Sequence, residues 1–256
     1  MLTRLRGQRG RPGAAIPPGT RVYAVGDVHG HADLLNELHG LLRDDMATSD
    51  APRKVLVYLG DYVDRGPCSR ETLDLILDAD LSVAETVCLA GNHEQTMLDF
   101  IAAPDTALNW LDYGGIETLE SYDIDVDRRA LATGFGIERL AARLDAALPA
   151  RHRRFLETLP VSHTVGDYLF VHAGIRPGVP LGQQERDDLM WIRDEFLDSG
   201  VDHGKVVVHG HSIRREPEVR SNRIGIDTGA FSTGRLTALV LEGETMQFIQ
   251  TRGWRE

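Results

Sequence analysis

Two cysteines in 256 residues, Cys68 and Cys88, fit neither a disulfide framework nor a paired zinc motif. Cys88 lies inside an apolar run, where free cysteine packs as a small hydrophobe, so a reducing compartment is compatible. Long hydrophobic runs are missing as well. Nothing approaches the roughly eighteen consecutive apolar residues that a membrane helix needs, and the N-terminal stretch lacks the apolar centre of a signal peptide. The expected location is the cytoplasm, with no membrane partner. Positive charge is short too: 28 basic residues face 39 acidic ones, a formal net charge of −11. Such a surface repels polyphosphate backbones, which excludes nucleic acid as the expected main partner. Internal repeats and long low-complexity tracts are also absent.

What is present is enough chain for one core, since a chain of this size buries about three quarters of its unfolded surface. A single domain is expected over residues 21–256. Residues 1–20 carry four arginines, no acid, and Pro12, Pro17 and Pro18. That composition reads as a flexible basic arm.

One pattern recurs after the arm: a short run rich in Val, Ile, Leu or Tyr stops abruptly at Gly, Asp, His or Asn. Arg21–Val25 precedes Gly26-Asp27, Val55–Leu59 precedes Gly60-Asp61, and Val87–Ala90 precedes Gly91-Asn92-His93. Tyr168–Val171 then precedes His172, and Val206–Val208 precedes His209-Gly-His211. Continuous apolar runs of this length suit strands buried on both faces. Between them, His31–Met46 places Leu34, Leu35, Leu38, Leu41 and Leu42 on one helical stripe, and Ser69 is placed to cap a helix carrying Leu73, Ile76 and Leu77.

Strands alternating with helices give an α/β layered fold, in which ligands bind beyond the carboxyl ends of the strands. Arg223–Ile226, Leu236–Leu241 and Met246–Gln250 read as antiparallel structure, so the sheet system is expected to be mixed. Residues 95–160 are mostly helical by pattern and are expected to form a lid or wall, with Trp110, Leu111, Tyr113, Leu140, Leu144 and Leu148 as packing positions. His39, His152 and His203 lie in polar or helical context and are expected to face solvent, and His163 to be structural.

Five strand ends thus deliver Asp27, His29, Asp61, Asp64, Asn92, His93, His172, His209 and His211, oxygen and imidazole donors of the kind that bind borderline divalent metals. A lone Asp or His after a strand is ordinarily a cap or turn residue; five such ends together point to cations. The glycines beside them allow close backbone approach.

Gly26-Asp-Val-His-Gly30, Gly60-Asp-Tyr-Val-Asp-Arg-Gly66, Gly91-Asn-His-Glu94, His172-Ala-Gly174 and Gly210-His211 together resemble the signature of the phosphoprotein phosphatase family of calcineurin-like metallophosphoesterases, of the bacterial and bacteriophage lambda type. The likeness runs from about residue 21 to about 250. It implies an α/β/β/α fold, two mixed β-sheets sandwiched between helices. It also implies two divalent metal ions, manganese by resemblance, with iron or zinc as alternatives. Asp27 and His29 would hold one metal, Asn92, His172 and His211 the other, and Asp61 would bridge both. A bridge needs lone pairs on two sides, which a carboxylate has and an imidazole lacks. His209 stands outside the implied set, as a ligand or as a residue packed near the site.

The same resemblance gives His93 as the general acid, Asp64 as its orienting partner, and Arg65, Arg193 and Asn92 as phosphate-binding residues. Trp191-Ile-Arg193 resembles the family's Trp-X-Arg segment, although a surface ion pair would also explain Arg193. Water would attack phosphorus directly; Cys68 follows Asp-Arg-Gly-Pro rather than a phosphate-cradling loop, which argues against a cysteinyl-phosphate route. His31 could line the substrate entrance, and Asp227-Thr-Gly229 reaches the same sheet end in a supporting role. The implied reaction is hydrolysis of a phosphate monoester on a protein or peptide, most simply at serine or threonine. Two competitors remain open: a dinucleoside polyphosphate hydrolase sharing the metal core, and an inactive binding module.

Overall fold

The apolar runs form strands in a computed structural model that describes residues 11–81, 83, 85–127 and 136–254. In the first sheet β1 (Thr20–Val25), β2 (Arg53–Tyr58) and β3 (Glu85–Cys88) are parallel. In the second sheet β4 (Ser162–Val165) pairs antiparallel with β5 (Tyr168–Val171), and β6 (Val206–His209) runs parallel to β5. Next to β6 comes β8 (Arg223–Gly225), edged by the short β7 (Glu218–Val219). The chain then returns to the first sheet with β9 (Thr237–Glu242) and β10 (Thr245–Gln250), giving the orders β10-β9-β1-β2-β3 and β4-β5-β6-β8-β7. Both sheets are mixed.

Side chains alternate across each strand and so build three cores. Val22 and Ala24 point between the sheets, where they meet Val57, Phe170, Val208 and Leu239. Tyr23 and Val25 point the other way, beneath α1 (Ala32–Ala47), whose Leu35, Leu38 and Leu42 are buried. The same outer layer holds α2 (Ser69–Leu77), α3 (Asn92–Ala102), α4 (Gly115–Ser121), α5 (Ile137–Ala147) and α6 (Ala150–Glu157). On the far side of the second sheet, Leu169, Val171 and Val207 pack under α7 (Arg186–Trp191) and α8 (Asp194–Leu197). The result is the α/β/β/α sandwich. Each aliphatic side chain so buried contributes about 1.5–3 kcal/mol. No helix among the described residues is long and apolar enough to cross a membrane.

Several sequence expectations need correction. Residues 1–10 lie outside the described residues, but 14–20 are not a loose arm. Ala14 and Ile16 are buried between the sheets, Ile16 N–H donates to Gly243 O at 2.9 Å, and Asp167 N–H donates to Ala15 O at 3.0 Å. Backbone pairing to distant residues offsets the poor local composition. Ser69 does not cap α2: Cys68 is the N-cap, and the Ser69 hydroxyl instead accepts the Asp64 N–H at 3.0 Å. β8 pairs parallel to β6 rather than belonging to an antiparallel C-terminal set. Tyr113 is exposed, not packed.

His39 and His152 are buried rather than solvent facing, and His203 is half-buried beside Phe196. His152 sits between Tyr122 Oη and Asp74, each at 2.8 Å, while His39 Nε2 meets Tyr58 Oη at 2.7 Å. Burial, with Arg43 acting in the same sense, lowers His39 from 6.5 to about 4. The unfolded chain therefore takes up this proton first. The His39 contribution is complete above pH 6.5 and is lost as pH falls towards 4, at about 1.4 kcal/mol per unit and about 3 kcal/mol in all. Urea unfolding of His39→Gln beside the parent, from pH 7 to pH 4.5, should show a visibly flatter acid limb in the variant. Parallel limbs would remove His39 from the acid transition.

Candidate metal centre and phosphate pocket

The carboxyl ends of β1, β2, β3, β5 and β6 all open on one side of the sandwich, and each is followed by donor residues. Cross-links hold these ends together: Val28 and His29 N–H donate to Asp61 O, and Gly210 N–H donates to His172 O. Close approach requires glycine at two points. A Cβ on Gly91 would strike the Asp61 carboxylate, and one on Gly210 would strike that of Asp27. Non-glycine residues are forced into left-handed backbone as well. Of six such residues among those described, five are His29, Asp61, Asp64, Arg65 and His211, with φ between 49° and 72°. Strain of this kind persists only where surrounding contacts over-determine it.

Asp61 lies at the middle. Its Oδ2 is 3.5 Å from His29 Nε2, while its Oδ1 is 3.3 Å from His172 Nε2. Two buried donor groups result, His29 with Asp61 and His93, and Asp61 with His172 and His211, each with its ligand atoms within 4.8 Å of one another. Asn92 Oδ1 is 2.9 Å from His172 Nε2, and Asp27 Oδ2 accepts the His211 N–H at 2.9 Å. His29 Nδ1 is fixed by Val63 O at 3.0 Å and His172 Nδ1 by Leu59 O at 2.9 Å, so both Nε2 atoms face the centre.

The electrostatics fit cations. Burial opposes ionisation of Asp61, yet His172, His93 and His29 outweigh it and hold the carboxyl well below its usual range. Burial, then Asp227, pushes Asp27 well above that range, and Asp227 itself rises to about 6 by burial. Burial lowers His211 to about 2, while His172, despite burial, is raised to about 9 by Asp61. Among the described residues Asp27 Oδ1 and His211 Nε2 are buried without any hydrogen-bond partner. A buried acceptor left without a donor is what a divalent ion satisfies, and carboxylate, amide and imidazole groups are the ligands such ions take.

Beside this centre His93 Nδ1 lies 2.6 Å from Asp64 Oδ2. Its Nε2 receives a hydrogen bond from Arg65 Nη2 at 3.2 Å, and the Arg65 guanidinium rests 4.5 Å over the Phe231 ring. Arg65, Asn92, His93, Tyr113, Trp191 and Arg193 face a cavity of about 270 Å³. Arg193 Nη1 donates to His211 O at 3.3 Å, so its anchor is the site rather than a surface carboxylate. Of the expected residues, Asp27 joins the site through the His211 N–H but lies outside both donor groups, and the others are gathered here. His209 is not: its ring packs 5.2 Å from Phe196 and its Nδ1 meets Gly210 O. His31 packs on Trp254, away from that cavity.

Glu94 has a role that sequence reasoning missed. Its buried carboxylate accepts the N–H groups of Asp61, Tyr62, Val63 and Gly91 at 2.7–3.2 Å, shaping the loop that carries Asp61. The available signal was its place three residues beyond the N-cap Gly91, where a glutamate can reach back to the cap.

Fold and donor set define a metal-dependent hydrolase of phosphoric esters. The chain belongs to the calcineurin-like phosphoesterase family, which it matches over residues 20–230. It is 31% identical over 224 residues to serine/threonine-protein phosphatase 1 of Salmonella typhimurium, covering 84% of this chain and 89% of that one. It is 23% identical over 243 residues to an asymmetrical bis(5'-nucleosyl)-tetraphosphatase, PrpE, of Bacillus thuringiensis, with 84% and 88% covered. The crystal structure of a proposed diadenosine tetraphosphatase superposes with a TM-score of 0.61 over 96% of this chain and 97% of that chain at 22% identity, a likeness of fold.

Proposed function

We propose that this protein is a protein phosphatase acting on phosphoserine and phosphothreonine, with two manganese ions held by Asp27, His29, Asp61, Asn92, His172 and His211. The observation that carries the reading is the division of Asp61, one oxygen towards each donor group, with the His93–Asp64 pair set beside it. Two divalent ions in such a site supply Lewis acidity and a water of lowered pKa. The chain's own residues do the rest. Arg65 and Arg193 bind phosphate oxygens, and drawing Arg65 onto the phosphate frees His93 Nε2. Asp64 accepts Nδ1–H and favours the imidazolium form of His93, whose Nε2–H protonates the departing alkoxide.

The relative named as a serine/threonine phosphatase supports this substrate class. So does the pocket, whose two arginines suit a single phosphate group. The adjoining surface cavity sets Asp99, Asp187 and Asp188 against Arg176 and Arg186, and Arg176 is already paired with Asp188 and Glu195. A polyphosphate chain would find little to neutralise it there. The tetraphosphatase relative favours the second reading, hydrolysis of dinucleoside polyphosphates. Initial rates on matched phosphoserine, phosphothreonine and phosphotyrosine peptides and on a dinucleoside tetraphosphate, after chelation and readdition of manganese, decide between them. Peptide turnover restored by metal is the expected result. Dinucleotide cleavage with negligible peptide turnover would move the chain to the second reading.

A further inference from the structure

Asp64 is held from more sides than an orienting carboxylate needs. Its Oδ2 takes the His93 Nδ1 bond and also the Trp110 indole N–H at 2.8 Å. Its Oδ1 accepts the Thr118 hydroxyl at 2.6 Å, and Thr118 Oγ1 in turn accepts the Asp64 backbone N–H at 2.9 Å. Thr118 has one hydroxyl proton, committed to Asp64. The 2.9 Å contact between Ser69 Oγ and Thr118 Oγ1 therefore has Ser69 as donor, and the donors run one way, Ser69 to Thr118 to Asp64. Trp110 and Thr118 are both buried.

Both come from one segment, the 3₁₀ turn Leu108–Tyr113 followed by α4. The segment reaches the site through Gly114 and Gly115. Gly114 has φ 107°, its carbonyl accepts the Arg65 N–H at 3.3 Å, and a Cβ there would collide with the Arg65 backbone. At Gly115 a Cβ would strike the Trp110 ring. One strap thus fixes both carboxylate oxygens and the backbone of Asp64, and the backbone of its neighbour Arg65.

We propose that Trp110 and Thr118 are positioning residues for proton delivery: they lock Asp64 so that His93 presents Nε2 to the leaving oxygen. This rests on the reading of His93 as the general acid. In that step water adds its oxygen to phosphorus and the ester P–O bond breaks, its electron pair staying on the serine oxygen. That oxygen takes the Nε2 proton, and the proton lost by water passes to solvent, from which His93 is recharged. With Asp64 free to rotate, the Nε2–H vector wanders and only substrates that need the proton suffer.

Thr118→Val removes the hydroxyl at nearly constant shape; Trp110→Phe removes the indole N–H. Each is assayed with manganese on a phosphoserine peptide and on p-nitrophenyl phosphate, whose leaving group needs no proton. Peptide kcat should fall about tenfold or more, part of the roughly 10²- to 10⁴-fold that a general acid supplies, with p-nitrophenyl phosphate kcat within about threefold of the parent. KM should stay unchanged, and Thr118→Ser should restore the peptide rate. A second readout needs no metal. A downfield His93 Nδ1 proton is expected by ¹H NMR in the chelated parent protein, and it should shift or broaden in Thr118→Val and return in Thr118→Ser. Equal losses on both substrates, or an unmoved proton with unchanged peptide turnover, would overturn the positioning role. His93→Asn keeps the two ideas apart. If it fails to separate the substrates, the general-acid reading falls; if it separates them and neither strap variant does, only the strap proposal falls. Should Trp110→Phe not fold, Thr118→Val and its serine rescue carry the test.

Discussion

Asp61→Asn is expected to strip both metals from the centre and to lower turnover by roughly 10³-fold or more. Lone pairs and charge set the outcome. Asp61 directs one oxygen to the His29 side and the other to the His172 side, within 3.5 Å of each Nε2. An asparagine amide offers one oxygen and, on its other arm, two hydrogens, which would point at a cation or an imidazole. The negative charge is lost as well, and with it the interaction that holds His172 up at about 9. A Lewis-acid contribution of several kcal/mol, at about tenfold per 1.4 kcal/mol, sets the scale of the rate loss. Elemental analysis after defined manganese loading gives metal per chain, and kcat is read on the same sample. Two metals retained with ordinary turnover would end the bridging assignment.

His93→Asn should behave in the opposite manner, keeping its metal and losing about 10²- to 10⁴-fold in kcat on phosphoserine peptides. This is a sharp test because His93 Nε2 lies only 3.9 Å from Asp61 Oδ2 and His93 belongs to one of the two donor groups. Its bonds assign it elsewhere. Nδ1 is tied to Asp64 at 2.6 Å and Nε2 faces Arg65 at 3.2 Å, on the side of the phosphate pocket. An aryl phosphate with a good leaving group should be spared most of the loss. Metal depletion equal to that of Asp61→Asn would make His93 a ligand and leave the proton donor to be found.

The donor residues were legible because they follow strands, while their roles and Arg193 came from the resemblance. An apolar run ending in glycine and a donor is a local signal, and five of them in one chain leave few arrangements other than convergence at a sheet end. What escaped depends on distant partners. Glu94 shapes a loop some thirty residues upstream, and His152 is buried because Asp74 and Tyr122 meet it from elsewhere in the chain. Ile16 is ordered by Gly243 and the second sheet, against its own composition. Ser69 looked like a cap because caps are local, whereas its hydroxyl serves Asp64 and Thr118 across the wall.

The left-handed residues of the metal centre also bear on its stability. His29, Asp61, Asp64, Arg65 and His211 each hold a conformation that costs an L-residue about 1–2 kcal/mol and a glycine almost nothing. A glycine at any of the five would relieve that strain and remove the side chain that the site uses. The centre thus carries its reactive side chains on a backbone shape that glycine would adopt more easily.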